Sequence, residues 1–420
     1  IFQIDRAGIL DMNHSKIVLQ GQASSNNDDK VAYPVPCGIA SYIQRAILRG
    51  SNGGGVICTS DNFGNYFAIT NTAFTSTDRK ANVDRYLNGT FNAYNVVIDR
   101  AANNNVYDGV GNVHSNVMKS TIHALRNNVD VGSNFSLSLS QLFPGFLSND
   151  IPVYLLKDDL EIELIFTPDN GRIGDRVISC DNTSQNTELS PVAQKEVMLL
   201  TDHIFFSDER METIRMSYNS SPFVANYTDI QSTRDTLTGT TNTTATTTNH
   251  KLGGAGKIVS SVLCANPRTN TGDNSVIASM GKYGSDSCLE KKCFNLSINN
   301  KKVLPIDVSN MNSSITFNLL CSMYGNNYCD IPYSLYASTQ KEGITDKTFN
   351  GRPAYANIKG QLSYFGIQLD DTKINAVPID LELYRLSSTG GGLKANDLYT
   401  YIMVKRVLSI QNGVISVSYS

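Results

Sequence analysis

Histidines, cysteines and paired carboxylates are the side chains here whose types could carry chemistry, so their spacing comes first. The histidines are His14, His114, His123, His203 and His250, with neither an HxH nor an HExxH arrangement among them. A metalloenzyme on a β scaffold needs such a cluster. His114 and His123 are free to meet in space, but on this spacing a histidine is ordinarily a surface or core side chain. Cys37, Cys58 and Cys180 lie in the first half; Cys264, Cys288, Cys293, Cys321 and Cys329 lie in the second. No CxxC occurs, and the 288/293 and 321/329 spacings fit no zinc template. Two readings stay open for these thiols. They are free or buried in a reducing compartment, or Cys288–Cys293 or Cys321–Cys329 closes a loop disulfide.

Three further patterns look like sites and fail on their spacing. Gly253-Gly-Ala-Gly-Lys257 resembles a phosphate-binding loop, but Lys251 stands where its first glycine belongs and Ile258 where Ser or Thr belongs. Gly50-Ser-Asn-Gly-Gly-Gly55 has no Lys-Ser/Thr after it and reads as a turn cluster. Asp158-Asp159 and Asp370-Asp371 are carboxylate doublets, and neighbours on a strand face opposite ways. Solvated loop charge is the expected role of both, with a structural calcium site as the other reading. No GxSxG nucleophile elbow is present. These patterns predict a protein with no catalytic residues, no metal and no cofactor.

The elements that would have to position any site are strands. Leu160 to Phe166 alternates cleanly and ends at Thr167-Pro-Asp-Asn-Gly171. His14 to Gln20, Asn134 to Leu142, Ile151 to Leu155 and Lys257 to Leu263 read as strands, and Val56 to Thr70 as strand pieces split at Asp61-Asn62. Phe294 to Leu304 reads as a hairpin through Asn299-Asn300. Thr400 to Ile410 and Val414 to Tyr419 form another through Gln411-Asn412-Gly413, since Asn-Gly suits hairpin turns. Near the midpoint, Val197 to Phe206 is apolar and rich in β formers. Ser207 then reads as a helix N-cap, with Asp208 and Glu209 at the positive end of the helix dipole. That strand-to-helix turn predicts a join between two units, 1–208 and 209–420. The Asn-rich run 71–127, with short helices at 81–87 and 115–125, and the Thr-rich run 232–250 read as exposed or intersubunit loops.

Hydrophobic residues make up 40% and charged residues 17%, with a formal net charge of -3. The near-neutral balance and the lack of a basic arm argue against direct nucleic-acid binding. No apolar run is long enough to span a bilayer. No signal peptide is legible after Ile1, and a piece preceding it is expected to have been processed or left out. Many short strands, uneven polar loops and frequent turn residues point to an all-β sandwich architecture. Asn-x-Ser/Thr sequons occur at Asn13, Asn88, Asn134, Asn182, Asn219, Asn226, Asn242, Asn295 and Asn312, mostly as expected by chance at this composition.

Three stretches together resemble one family, the double jelly-roll major capsid proteins of the adenovirus-like lineage of tailless icosahedral double-stranded DNA viruses. Phe135-Ser-Leu-Ser-Leu-Ser-Gln-Leu-Phe-Pro-Gly-Phe-Leu-Ser148, followed by Ile151-Pro-Val-Tyr-Leu-Leu and Leu160-Glu-Ile-Glu-Leu-Ile-Phe166, is similar to the end of the first jelly roll in polinton-like and virophage members. His203-Ile-Phe-Phe-Ser-Asp-Glu-Arg210 resembles the junction of nucleocytoplasmic large DNA virus members, with His203 where those often carry Tyr. Tyr401 to Tyr419 resembles their closing strand pair. The resemblance implies two consecutive eight-stranded jelly rolls with long loops and a few short helices. It implies a homotrimer forming a pseudo-hexagonal capsomer that contacts neighbouring capsomers, penton and minor capsid proteins, and it is compatible with an internal membrane beneath the shell. It places the chain in the virion, assembled inside the host cell. The alternatives are a jelly-roll carbohydrate-binding or host-attachment protein, and a cupin-like enzyme.

Overall fold

The computed structural model describes residues 1–21, 32–33, 40, 43–51, 55–76, 79, 83–84, 87–88, 97–99, 105–107, 133–146, 150–166, 178–179, 196–237, 246–265, 294–303, 313–323, 348–349, 352–353, 364–385 and 396–420. The main strands before Asp208, leaving aside the two-stranded pairs Ala32–Tyr33 with Ile178–Ser179 and Val97–Asp99 with Asn105–Tyr107, are β1 (Phe2–Ile4), β2 (Ile9–Leu10), β3 (Lys16–Gly21), β4 (Ile43–Gly50), β5 (Val56–Asp61), β6 (Ser133–Ser138), β7 (Leu160–Phe166), β8 (Glu196–Leu200) and β9 (His203–Ile204). They form antiparallel sheets in the orders β1-β7-β4-β5 and β8-β3-β6, with β9 on β2. The main strands after it, leaving aside the short pair Thr348–Phe349 with Arg352–Pro353, are β10 (Phe223–Leu237), β11 (Thr246–Gly253), β12 (Ile258–Ala265), β13 (Phe294–Ile298), β14 (Lys301–Lys302), β15 (Tyr364–Lys373), β16 (Ile379–Arg385), β17 (Asn396–Gln411) and β18 (Val414–Tyr419). These give β10-β17-β12-β15, with β18 added to β17, and β11-β16-β13-β14. Among the described residues, no sheet mixes strands from before and after Asp208.

Alternation decides which face each strand buries. Leu160 and Ile162 point into the first core, as do Leu137 and Phe135 of β6 and Ile17 and Leu19 of β3. Leu381 and Leu383 of β16 and Val262 and Cys264 of β12 point into the second. The two cores meet along the long β10–β17 ribbon. Its Ala225, Tyr227, Leu408 and Ile410 end belongs to the first core, and its Ile230 and Leu398 to Val404 end to the second.

Several elements differ from the sequence expectation, each for a local reason. Phe63 to Thr70, expected as strand, lies in helix α1 (Phe63–Phe74). Asn62, with φ 50°, breaks the strand, and the apolar residues then follow helical spacing. Phe63 and Phe67 face the first core while Tyr66 and Ile69 face the second. Asn134 to Leu142 stops as a strand at Ser138, whose hydroxyl accepts from Gln141 N at 3.1 Å in a capping box that starts the short helix α2 (Leu139–Leu142). Ile151 to Leu155 makes one bridge, Ile151 to Leu10, and then a 3-10 turn at Val153–Leu155.

Val197 to Phe206 divides into β8 and β9. At the break, the Asp202 backbone N–H donates to the buried Ser15 hydroxyl at 2.9 Å and its carbonyl accepts from Asp11 N at 2.9 Å. Helix α3 (Asp208–Ser220) begins after Ser207 as expected, although the Ser207 hydroxyl makes no capping bond. The Thr-rich run is strand, not loop, at both ends, through 237 in β10 and from 246 in β11. Its β-branched threonines suit a pleated surface. Residues 238–245 and most of 77–132, including the expected short helix at 115–125 and all but residues 83, 84 and 87 of the one at 81–87, lie outside the described residues. Helix α4 spans Ser313–Ser322, and Ile315 to Met323, whose sequence alone suits helix or strand equally, falls almost wholly within it.

Candidate functional site

The residues flagged for chemistry are scattered. His114, His123, Cys37, Cys180, Cys288, Cys293 and Cys329 lie outside the described residues. His14 caps a turn beside Asp11 (Nδ1 to Oδ2, 2.6 Å). His250 sits in β11, 3.4 Å from Asp235. Cys58 and Cys264 are buried in different cores, and burial pushes the Cys58 thiol well above its usual pKa. Among the described residues, no group of three or more His, Cys, Asp or Glu is placed to hold a metal.

The glycine run 253–257 is a tight turn between β11 and β12, with Gly253, Gly254 and Gly256 all at positive φ. It leads into a strand, whereas a phosphate loop opens a helix. Lys257 is engaged elsewhere, donating to Gln231 Oε1 at 2.9 Å and lying 4.4 Å from the Tyr419 ring centroid. Asp370 and Asp371, at φ 49° and 54°, form a bulge where the register of β15 against β12 slips. Asp371 faces Lys405 at 3.5 Å. Asp159 pairs with Arg6 at 2.8 Å. Neither doublet forms an acid/base pair.

The arrangement that stands out is the seam where edge strand β5 of the first unit runs beside edge strand β10 of the second. An exposed strand edge invites pairing with another chain. Here side chains occupy the backbone groups of β5 instead. The Ile57 carbonyl accepts from the Tyr227 hydroxyl and from Arg406 Nη1 at 3.1 Å. The Asp229 carboxylate accepts from the Thr59 backbone N–H. Arg406 and Asp229 pair with each other on the second unit's side of the seam, Nη1 to Oδ2 at 2.9 Å, with both side chains largely buried, and each also reaches across to β5. Burial pushes the Asp229 pKa up, and the Arg406 charge opposes that rise.

Aromatic contacts extend the lock. Phe146 packs on Tyr227 at 4.6 Å and Tyr66 on Tyr401 at 5.2 Å between centroids. The Tyr401 hydroxyl donates to the Asn62 carbonyl at 3.2 Å. Tyr419, on the last strand, has the Lys257 ammonium 4.4 Å and the Arg406 guanidinium carbon 5.0 Å from its ring centroid. Gly145 is needed where the chain crosses β10, since a Cβ there would lie 1.5 Å from the Thr228 carbonyl oxygen. Along the seam runs a groove of about 1050 Å3, lined by residues such as Tyr66, Phe74, Ser260, Asp371, Met403 and Lys405, with no His or Cys. What this geometry can do is hold two sheet stacks rigidly side by side.

Sequence reasoning missed this seam. Its one legible signal was Asp229, an acid in line with the inward-facing Ala225 and Tyr227 of the same strand, which calls for a buried cation.

No protein-family model and no curated protein matches the chain. Solved structures do. PBCV-1 VP54, fitted into a reconstruction of the virophage Sputnik, is similar over 100% of this chain and 92% of its own, at 12% identity and TM-score 0.53. A chain of the PBCV-1 virus capsid matches over 100% and 92%, at 13% identity and TM-score 0.54. A chain of the Sputnik virophage matches over 100% and 84%, at 10% identity and TM-score 0.57. The fold is therefore the all-β double jelly roll expected from the sequence.

Proposed function

We propose that this chain is the major capsid protein of a tailless icosahedral double-stranded DNA virus, built from one jelly roll over 1–208 and a second over 209–420. One observation carries the reading. The full-length likeness to capsid chains coincides with a seam that fixes the two units edge to edge. Rigid paired sandwiches suit a wall that is tiled by repetition. Three copies, each contributing two similar units, approximate six-fold symmetry and so pack against neighbouring capsomers. The polar runs expected at 71–127 and 232–250 are assigned the exposed or intersubunit contacts, because recognition is commonly placed on the segments that a stiff scaffold carries.

The role is structural and not enzymatic. It is supported by the dispersal of His14, His203 and His250 and by the engagement of Lys257 with Gln231 and the Tyr419 ring. Partners are two further copies, adjoining capsomers, and the penton and minor proteins of the shell, with an internal membrane beneath. Light scattering tests the assembly directly. The purified chain should elute at three chain masses, and a chain that stays monomeric at every concentration contradicts the reading. A carbohydrate-binding or attachment role would instead show saturable binding on a glycan array.

A further inference from the structure

The end of the molecule that carries α3 has exposed apolar surface concentrated in one stretch. Leu200, Ile204, Phe205, Phe206 and Met216 are all exposed, Phe205 at 63% and Met216 at 64%. Helix α3 buries none of its residues. A helix of this length has little stability without a packed face, and contiguous exposed apolar surface marks an interaction site. Beside it lies a pocket of about 570 Å3, lined by Tyr154, Lys157, Arg215, Tyr218, Asn219 and Asn412 among others. Patch and pocket adjoin: the Phe205 ring packs at Gly8, and the Gly8 carbonyl accepts from Tyr154 N at 3.0 Å.

The pocket's lining carries two cations, Lys157 and Arg215, and no carboxylate. Tyr154 is only 7% exposed, and its hydroxyl has no hydrogen-bond partner among the described residues. A buried hydroxyl left unpaired is costly, so something should complete it. Arg215 donates once to the Tyr154 carbonyl at 3.2 Å and reaches Glu212 at 3.4 Å, a surface pair of small worth. Lys157 forms no ion pair among the described residues. Two cations lining one cavity beside the unpaired Tyr154 match a carboxylate.

We propose that this pocket receives one acidic side chain of a docked protein segment, whose flanking apolar residues cover Phe205, Phe206 and Met216. The surrounding charge favours a protein over a lipid surface. Asp202, Asp208, Glu209 and Glu212 are exposed beside the patch, whereas a helix lying on a membrane carries Lys and Arg on its polar face. The same acids repel a polyanion, which limits the occupant to a lone carboxylate between apolar residues. This site stands whether or not the chain builds a shell.

The test presents the full chain with short immobilised peptides that hold a single Glu between Phe and Leu, and with the same peptides carrying Gln. Glu peptides should bind about tenfold more tightly, the worth of a charge-assisted hydrogen bond. Tyr154→Phe, which deletes only an unpaired hydroxyl, should keep the fold and weaken the Glu peptides alone. Lys157→Glu with Arg215→Glu should switch the preference to Lys peptides. Equal binding of Glu and Gln peptides, or no peptide binding at all, overturns the proposal. So does binding confined to phosphatidylcholine vesicles containing phosphatidylserine, or a change in copy number in the charge-reversed variant, which would make a second copy the occupant.

Discussion

Removing the Asp229 carboxylate should loosen the joint between the two jelly rolls. Asp229 accepts from Arg406 at 2.9 Å and from the Thr59 backbone N–H of the opposite edge strand. Its side chain is 4% exposed and that of Arg406 13%. In Asp229→Ala the guanidinium keeps the Ile57 carbonyl and the Tyr419 ring but loses its counter-ion, and the Thr59 N–H loses its acceptor. Breaking one partner of such a buried pair costs about 3–5 kcal/mol. For a unit of this size that is a fall in Tm on the order of 10 °C. Deleting both charges with Asp229→Leu and Arg406→Met should cost much less than the two single changes added together, because no lone charge is left behind. Thermal and denaturant unfolding of the parent, both single variants and the double variant give the coupling, which should exceed about 2 kcal/mol. An Asp229→Ala protein within about 1 kcal/mol of the parent, or strictly additive variants, would refute the assignment of the seam to this pair.

Gly145→Ala should destabilise by about 1–3 kcal/mol or more, since the added methyl would overlap the Thr228 carbonyl; unchanged unfolding would mean the crossing is looser than described. Tyr419→Ala should leave Lys257 and Arg406 without their shared ring and speed hydrogen exchange in β18 before the rest of the sheet, which exchange mass spectrometry resolves. The Asp11 hydrogen bond and charge raise the His14 pKa. Burial raises the Asp11 pKa, but the bonds from His14 and Asn13 outweigh it and leave the carboxyl below its usual value. The histidine contribution is therefore present below its ordinary pKa and lost as pH rises through the raised one. The aspartate contribution is present above its ordinary pKa and lost as pH falls through the lowered one. The turn is thus firmest between roughly pH 4 and 6.5. An NMR titration should place the His14 midpoint above that of an unperturbed histidine, and Asp11→Asn should bring it back; an unmoved midpoint contradicts the pairing.

Much of the fold was legible where local and tertiary preferences agree. Leu160 to Phe166 alternates, stops at a strong turn and is a strand with those bounds. Asn412-Gly413 takes the left-handed pair of angles its type demands, φ 51° and 79°, and closes the last hairpin. The misses occur where one element serves two cores. Phe63, Tyr66, Phe67 and Ile69 form an apolar cluster, interrupted only by Gly64, Asn65 and Ala68, that suits a strand until two cores exist for a helix to lie between. The seam was illegible for a related reason. Tyr227, Asp229 and Arg406 matter because edge strand β5 happens to lie beside β10, and no spacing along the chain encodes that. The exposure of Phe205 and Phe206 was hidden as well, since both read as the end of a strand.

Electron microscopy of the purified assembly tests most directly whether the chain is a paired β wall that packs against copies of itself. The density should show a three-fold particle with six wedge-like lobes, two per chain, joined within each chain where Tyr227, Asp229 and Arg406 meet edge strand β5. A particle with one lobe per chain, or isolated chains with no symmetric association, would contradict it.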